Sequence, residues 1–221
     1  MIRPIRGVLF DMDGVLVDSE KVLMRSAQEI LQRWGVKADP PDFVPFIGAG
    51  EARFVGGAAE AHGVPYEPLM KQLTYERYAW RVAHTEIAMP GVHGTLRKLK
   101  ENGLRIAVCS AADRFKVMVN IRALKLAPDF FTAVLSGEDA ARKKPAPDIY
   151  LAGARALNLD PQDCVVVEDA VNGIQAGRAA GCRTIGVTTF FTREQLRQQA
   201  APDWIAEDTG AVADLILSAR Q

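Results

Sequence analysis

The chain has 221 residues with 27 basic and 27 acidic side chains, a length that suits one large domain or one domain with an insert. The zero net charge and the lack of a long basic block argue against nucleic acid or an anionic membrane as the main partner. No apolar stretch approaches the roughly 20 residues of a membrane span and no signal sequence is evident, so we expect a cytoplasmic protein, monomeric by default.

Apolar runs rich in β-branched residues predict the strands of one sheet. They do not alternate with polar residues, so we expect strands that are buried on both faces. The six runs, of which the last is the weakest, span residues 5–10, 105–109, 133–135, 164–167, 184–187 and 204–206. The three cysteines form no CxxC pair, which argues against a disulfide framework or a zinc site.

Helical patterns separate most of these runs. Val92, Leu96 and Leu99 recur at helical spacing, and Asp113 precedes another such pattern as its expected N-cap. The patterns in this part of the chain span residues 92–99, 117–124, 149–157, 174–180 and 212–217. Alternation of strands and helices predicts an α/β fold, in which a parallel sheet carries helices on both faces.

One long interval breaks this alternation. The chain between the first two strands is far longer than one crossover helix needs, and it contains only helical patterns, at 19–34, 51–62 and 67–83. We therefore predict a helical cap domain at 20–89. It would be inserted into an α/β core domain formed by 1–19 and 90–221, with Pro90 and Gly91 as the returning hinge.

Chemically useful side chains follow four of the predicted strands. In open α/β sheets, ligands bind beyond the carboxyl ends of the strands, where the strand order reverses. Any one of these residues alone would be read as a helix cap or a turn residue, but four polar strand exits together favour one shared site. The residues are Asp11 and Asp13, Ser110, Lys144, and Glu168 with Asp169.

This set of side chains suits phosphoryl transfer. Asp11 and Asp169 offer hard oxygen ligands to Mg²⁺, which would hold Asp11 ionised and neutralise an incoming phosphate. A free carboxylate oxygen of Asp11 could then form an aspartyl phosphate. Asp13 should reach the same site and exchange protons with the leaving group and with water. Ser110 would donate a hydrogen bond to the phosphate, and Lys144 would neutralise charge on the phosphate and on Asp11.

Four segments resemble, in order, the four motifs of the haloacid dehalogenase superfamily. They are DMDGVLVDS at 11–19, VCSAA at 108–112, KKPAPDIY at 143–150 and VVVEDAVNGIQAG at 165–177. The chain is similar to the branch with a helical cap after the first strand, the beta-phosphoglucomutase-like and phosphoglycolate-phosphatase-like hydrolases. This resemblance implies a Rossmann-like doubly wound parallel sheet with an inserted all-α cap domain, and a small phosphorylated metabolite as the substrate.

The resemblance also implies roles for individual residues and magnesium as the cofactor. The residues implied for catalysis and phosphate binding are Asp11 as nucleophile, Asp13 as general acid/base, Ser110, the Ala111 backbone and Lys144. The metal ligands implied are Asp11, the carbonyl group of Asp13, Asp169, and Glu168 either directly or through water. Ser19 matches a position near the hinge, where we expect it to cap the first helix of the insert.

Three positions bear on the choice of reaction. The dehalogenases and phosphonatases of the superfamily lack an acid at the position of Asp13, so its presence favours phosphate esters. In the sugar-phosphate mutases a cap-helix histidine takes the position of Leu23, and a cap-loop arginine aligns near Glu51. We therefore expect a magnesium-dependent phosphatase acting on a sugar phosphate or bisphosphate; the alternatives are a phosphosugar mutase and, third, a non-catalytic binding domain.

The insert contains the candidate residues for reading the substrate. The segment 42–59 is similar to the cap of the sugar bisphosphate phosphatases, and its glycines allow either a loop that reaches the substrate or a simple turn between helices. If the loop is functional, Glu51 and Arg53 are the substrate-binding candidates, and Arg53 could grip a second phosphate or a carboxylate. Elsewhere in the insert we expect a solvated face with Lys71, Arg77 and Arg81, and a cap core with Tyr75, Tyr78 and Trp80.

Overall fold

The computed structural model describes residues 3–219 and has a sheet of six parallel strands in the order β3-β2-β1-β4-β5-β6. The strands are β1 (Gly7–Phe10), β2 (Arg105–Cys109), β3 (Ala133–Leu135), β4 (Cys164–Glu168), β5 (Arg183–Val187) and β6 (Trp204–Ala206). The α-helices are α1 (Glu20–Leu31), α2 (Pro40–Phe43), α3 (Glu51–Ala61), α4 (Pro68–Ala83), α5 (Val92–Glu101), α6 (Arg114–Ala123), α7 (Asp148–Ala156), α8 (Val171–Ala179), α9 (Arg193–Gln199) and α10 (Val212–Ser218).

The strand order reverses at the middle of the sheet. The chain runs outward from β1 through β2 to β3 and then returns to the opposite side of β1 with β4. Loops that leave β1 and β4 therefore diverge to opposite sides and open a crevice at the carboxyl ends of these two strands. The sheet topology thus places the segments that follow Phe10 and Glu168 side by side.

Successive residues of the strands pack into two apolar clusters, one on each face of the sheet. Val8 and Phe10 belong to the cluster that includes Leu96 of α5, whereas Leu9 belongs to the cluster that includes Tyr150 of α7 and Ala176 of α8. Because both faces are covered by helices, the strands are apolar throughout. The predicted fold class, a doubly wound parallel sheet with a helical insert, is confirmed.

The helical insert, α1 to α4, leaves and rejoins the core through two neighbouring segments. The amide group of Asp18 donates to the carbonyl oxygen of Ile87 over 2.8 Å, and the amide group of Met89 donates to that of Leu16 over 2.9 Å. Helix α4 packs against α1 and α3 and also against α6 of the core. Because α6 begins shortly after β2 ends, this contact brings the insert over the carboxyl end of the sheet.

The element boundaries differ little from the predicted ones. The first strand begins at Gly7 rather than at residue 5, while β4 extends to Glu168. The short helices α2 and α9 were not predicted, although Thr192 and Gln195 form a capping box that marks the start of α9. All three cysteines are free and buried, in agreement with the prediction that they form no disulfide framework. Within residues 3–219, no helix is long and apolar enough to cross a membrane.

Candidate active site

The structure brings Lys144 together with two carboxylates from different strands. Asp11 follows β1, Glu168 ends β4, and Lys144 lies in the segment between β3 and α7. The Nζ atom of Lys144 is 2.5 Å from Oδ1 of Asp11 and 2.7 Å from Oε1 of Glu168, and its side chain is almost fully buried. A buried ammonium between two carboxylates provides a strong positive potential next to Asp11.

Asp11, Glu168 and Asp169 form a compact group of carboxylates, whose candidate ligand atoms all lie within 4.8 Å of one another. Burial raises the pKa of Asp11 to about 7, although the Lys144 ammonium opposes the change. Burial, and then the negative charges of Glu168 and Asp11, raise the pKa of Asp169 well above its usual range. Crowded carboxylates ionise together only when a cation offsets their repulsion, so this group fits a hard divalent cation.

Two glycines allow the backbone to pass close to these carboxylates. A Cβ atom on Gly14 would lie 1.9 Å from Oδ2 of Asp169, and one on Gly173 would lie 1.7 Å from Oε1 of Glu168. Gly14 also has a φ of +77°, which a residue with a side chain adopts only at a cost. The backbone therefore forms part of the wall around the carboxylate group, and any larger residue at either position would displace an acidic side chain.

Both carboxylate oxygens of Glu168 have protein donors. Oε1 accepts from Lys144 and, over 3.0 Å, from the hydroxyl group of Tyr150, while Oε2 accepts from the amide group of Ala170 over 2.8 Å. These bonds hold Glu168 in place behind Asp11. They leave it with less capacity for direct contact with a cation than Asp11 and Asp169 retain.

Asp13 contacts two residues that the sequence did not connect with it. Its Oδ1 accepts a hydrogen bond from the hydroxyl group of Ser19, and its Oδ2 lies 2.9 Å from Nζ of Lys116, a buried residue of α6. Ser19 occupies the predicted N-cap position of α1, but its side chain makes no capping hydrogen bond and contacts Asp13 instead. Lys116 was not among the predicted site residues.

Ser110 and Ala111 follow β2 and face the same region as the lysines. Together with Lys143 and Lys144, they line one small pocket. Ser110 is buried, and its Oγ atom accepts a hydrogen bond from the amide group of Ala112 over 3.1 Å. The hydroxyl hydrogen of Ser110 is thus free to be donated into the pocket, next to the ammonium group of Lys144.

The insert contributes two polar side chains that contact Asp113, at the start of α6. Lys71 of α4 pairs with Asp113, and the hydroxyl group of Tyr75 donates to the same carboxylate over 3.0 Å. Asp113 occupies the N-cap position of α6, as predicted, although its side chain makes no capping hydrogen bond; the assignment of Lys71 to a solvated face was wrong. Glu51, the first residue of α3, is buried, and the charges that affect it most are those of Lys116, Asp113 and Asp13.

Other cap residues have structural roles or lie at the surface. Arg77 and Arg81 both pair with Glu29 of α1, so they join two helices of the insert rather than facing only solvent. Arg53, a predicted substrate-binding residue, is half exposed and pairs with Glu60 of its own helix. Trp80 is 52% exposed, so its assignment to the cap core was wrong.

Tyr75 and Tyr78 are buried, as predicted for the cap core. Tyr78 also contacts the core domain, because its hydroxyl group donates to the side-chain oxygen of Asn120 on α6. Leu23 of α1 is buried and cannot perform the proton-positioning task of a histidine. These contacts tie the insert to α6 in the present arrangement.

Comparisons with known proteins agree with this fold. The family model for haloacid dehalogenase-like hydrolases matches residues 5–181. The chain is 40% identical over 213 residues to the chloroplastic protein SUPPRESSOR OF QUENCHING 1 of Arabidopsis thaliana, covering 95% of this chain but only 20% of that much longer protein. It is 33% identical to hexitol phosphatase A of Escherichia coli over 195 residues, which cover 82% of each protein.

A solved structure extends the likeness to three dimensions. CbbY from Rhodobacter sphaeroides, in complex with phosphate, superimposes with a TM-score of 0.82 at 27% identity, covering 94% of this chain and 96% of CbbY. A mutant of the same protein, solved with xylulose-(1,5)-bisphosphate, superimposes with a TM-score of 0.80. The family model and these relatives together show that the chain belongs to the haloacid dehalogenase-like hydrolases.

Proposed function

We propose that this protein is a magnesium-dependent phosphatase that hydrolyses a small phosphorylated metabolite through an aspartyl-phosphate intermediate. The observation that carries the proposal is the buried Asp11 beside Lys144, with Glu168 and Asp169 completing a carboxylate group suited to a cation. The phosphatases among its relatives support the same reaction class.

The residues around Asp11 divide the reaction into two steps. An oxygen of Asp11 attacks phosphorus, the bond from phosphorus to the ester oxygen breaks, and Asp13 gives a proton to the leaving alcohol. Water then attacks the aspartyl phosphate and loses a proton to Asp13, which regenerates Asp11 and releases inorganic phosphate. Lys144 and Ser110 bind the phosphate oxygens during both displacements.

Magnesium, when bound, would supply positive charge that holds Asp11 ionised and offsets the charge of the phosphate group. We propose that Asp11, Asp169 and the carbonyl group of Asp13 hold it directly. Because both oxygens of Glu168 already accept hydrogen bonds, we assign Glu168 an indirect contact through water. Ala111 would offer its backbone amide group to the phosphate.

Lys116 extends this set as a positioning residue. Its ammonium group fixes Oδ2 of Asp13, while Ser19 contacts the other carboxylate oxygen. Two partners on opposite oxygens restrict rotation of the Asp13 side chain. We therefore propose that Lys116 and Ser19 keep this acid/base group aimed at the ester oxygen.

The insert would act as a cap over the reaction. We propose the boundaries 20–89 for the cap and 1–19 with 90–221 for the core, of which the structure describes 3–219. The paired segments at Asp18 and Ile87 would serve as the hinge, and closure would exclude bulk water from Asp11. A monomeric state, a cytoplasmic location and the exclusion of nucleic acid stay predictions.

A phosphosugar mutase is the second candidate on this scaffold. It would interconvert two phosphate isomers of one sugar without net release of phosphate. The leucine at position 23, where the mutases have histidine, favours the phosphatase.

The decisive experiment measures inorganic phosphate and isomer formation together. The substrates are sugar phosphates, sugar bisphosphates, phosphoglycolate and nucleotides, each with Mg²⁺ and with a chelator. We expect phosphate release that needs Mg²⁺ and disappears in Asp11→Asn. Isomer formation without phosphate release would establish the mutase instead, and full activity of Asp11→Asn would refute the assigned nucleophile.

A further inference from the structure

Lys143 directly precedes Lys144 in the segment between β3 and α7, but the two ammonium groups have different surroundings. The ammonium group of Lys144 is buried between Asp11 and Glu168. Lys143 is exposed, and its Nζ atom has no hydrogen bond and no salt bridge within residues 3–219. The positive charge of Lys143 is therefore available to an anion from solution.

The position of Lys143 places this charge between the core and the insert. Its carbonyl oxygen accepts a hydrogen bond from the amide group of Ala146 over 3.0 Å, which closes a tight turn. Its Nζ atom lies 3.0 Å from the position that a Cβ atom on Gly50 would take, so it lies against the backbone of the insert just before α3. Lys143 also lines the small pocket of Ser110 and Ala111. A substrate that extends from this pocket under the insert would therefore pass close to Lys143.

Lys143 differs from the other cations that line this pocket. Arg142 pairs with Asp148 over 2.7 Å, and Lys144 pairs with Asp11. Of the three cations, Lys143 alone has no carboxylate partner among the residues that the structure describes. Because the paired cations are largely neutralised, the attraction of the pocket for a further anion comes mainly from Lys143.

The lysines of α4 and α6 that face the cleft are also paired. Lys71 pairs with Asp113, and Lys116 pairs with Asp13. Although burial opposes the change, the contact with Lys71 and, more weakly, the charge of Lys143 lower the pKa of Asp113 below its usual range. Asp113 thus lies within the field of Lys143, but its own charge is already offset by Lys71.

The charged residues of α3 do not cancel the charge of Lys143. Burial raises the pKa of Glu51, and the strongest charge acting on this residue is that of Lys116. Glu51 therefore ionises less readily than an exposed carboxyl group and offsets Lys143 only weakly. Arg53, the residue that the sequence suggested for a second phosphate, pairs with Glu60 of its own helix instead. A second phosphate at the cleft would thus find its cation in the core domain.

We infer that Lys143 is a specificity-determining residue that binds a second phosphate group of the substrate, so that the enzyme selects sugar bisphosphates over monophosphates of the same sugars. The inference rests on the proposed phosphatase function and defines its substrate class. An ammonium group and a phosphate dianion form charge-assisted hydrogen bonds. Because the second phosphate does not react, this contact is equally strong before and in the transition state, and it should lower KM rather than raise kcat.

The test compares initial rates of phosphate release with Mg²⁺ on matched substrates. These are a hexose 1,6-bisphosphate and a pentulose 1,5-bisphosphate, each beside the monophosphates of the same sugar. Lys143→Met keeps the length of the side chain but removes its charge, whereas Lys143→Arg keeps the charge. Lys37→Met is the matched control, because Lys37 is also exposed, has no salt bridge within the described part of the chain and does not line the pocket.

We expect the parent protein to prefer at least one bisphosphate to the monophosphates of its sugar. Lys143→Met should lower kcat/KM for that bisphosphate by about 10- to 100-fold, the effect of losing one hydrogen bond between charged groups, and most of the loss should lie in KM. Its values for the monophosphates should stay within about 3-fold of the parent, since they have no second anion to bind. Lys143→Arg should keep most of the preference, and Lys37→Met should match the parent.

An equal loss of Lys143→Met on bisphosphates and monophosphates would overturn the inference, because Lys143 would then act on the transferred phosphate or on the fold. A preference that is unchanged in Lys143→Met, or lost equally in Lys37→Met, would also overturn it. A parent that prefers the monophosphates would overturn the inference and leave the phosphatase function intact. A parent that releases no phosphate from any of these esters would overturn the function as well.

Discussion

Lys116 and Asp13 form a salt bridge of 2.9 Å between a helix that follows β2 and the loop that follows β1. The lysine side chain is 6% exposed and that of the aspartate 21%, so water screens the pair only weakly. The negative charge of Asp13 and neighbouring Tyr78 raise the pKa of Lys116 above its usual range in spite of its burial. This contact fixes an acidic group of the site from the side that the insert covers.

Removal of the Lys116 ammonium group should therefore destabilise the protein and also lower its rate of phosphate release. Lys116→Met leaves Asp13 with Ser19 as its remaining partner, and we expect a loss of about 1–3 kcal/mol in the free energy of unfolding. Urea unfolding measures this change. In the double variant Asp13→Asn/Lys116→Met the neutral amide needs no ammonium group, so most of the lost stability should return. If the losses of the two single variants simply added, the proposed interaction between Asp13 and Lys116 would be contradicted.

Substitution of Gly14 should damage the carboxylate group itself. Gly14→Ala places a methyl group where Oδ2 of Asp169 lies, so we expect loss of Mg²⁺-dependent phosphate release. Gly35→Ala is the matched control, because its φ of +75° is similar and nothing lies within 4 Å of the added Cβ atom. Both variants should lose about 1 kcal/mol of stability from backbone strain, but only Gly14→Ala should lose activity and Mg²⁺ binding.

A second glycine pair tests the packing behind Glu168. A Cβ atom on Gly173 of α8 would overlap this carboxylate, whereas one on Gly94 of α5 would meet nothing within 4 Å. We expect Gly173→Ala to lose activity and stability. Gly94→Ala should gain about 0.5–1 kcal/mol, because alanine favours a helix interior more than glycine does. Thermal unfolding and phosphate release are measured for both variants. If Gly94→Ala also lost activity, the loss in Gly173→Ala could not be attributed to overlap with Glu168.

Stability of the metal-free protein should fall as the pH rises from about 5 to 8. Burial raises the folded-state pKa of Asp11 to about 7 and raises that of Asp169 further, so the folded state binds more protons than the unfolded state in this range. Stability from such groups is fully present at low pH and is lost as they ionise. Carboxyl groups with a lowered pKa, such as Asp139 and Asp148, act only at lower pH.

Thermal unfolding with a chelator measures this effect, and one pKa unit corresponds to about 1.4 kcal/mol, or several degrees in Tm. Asp11→Asn removes one of the two groups, so its Tm should vary less over the same range. Saturating Mg²⁺ should raise the Tm most at pH 8, where the carboxylates are ionised. A Tm of the metal-free protein that rises between pH 5 and 8 would show that burial does not raise the pKa of these carboxyl groups.

Features that depend on neighbouring residues in the chain could be predicted from the sequence. The strands are apolar because both faces of the sheet are covered, and the polar residues that follow them must converge because parallel strands share one carboxyl edge. This geometry explains why Asp11 and Lys144 meet although they are far apart in the sequence. Ser19 and Asp113 occupy the predicted N-cap positions, but their side chains bond to Asp13 and Lys71 respectively, which the sequence did not indicate.

Features that depend on how the insert packs against the core could not be predicted. Lys116 occupies the polar side of the α6 pattern, and nothing in that pattern indicates that α4 packs against α6. Met118, an apolar residue within the same pattern, is 38% exposed. A periodic pattern identifies which residues share a helix face, but the face that is buried is decided by long-range contacts.

The hydrogen bonds from Asp18 to Ile87 and from Met89 to Leu16 have a consequence for how such enzymes diversify. These two pairs fix the distance between the ends of the insert, so the sheet is joined to the insert only through two neighbouring segments. Replacement of the whole segment by another with the same end spacing changes the loop-closure entropy only slowly with length. New specificities can therefore be acquired by exchanging this one module, while β1, β4 and the carboxylates beyond them keep their geometry.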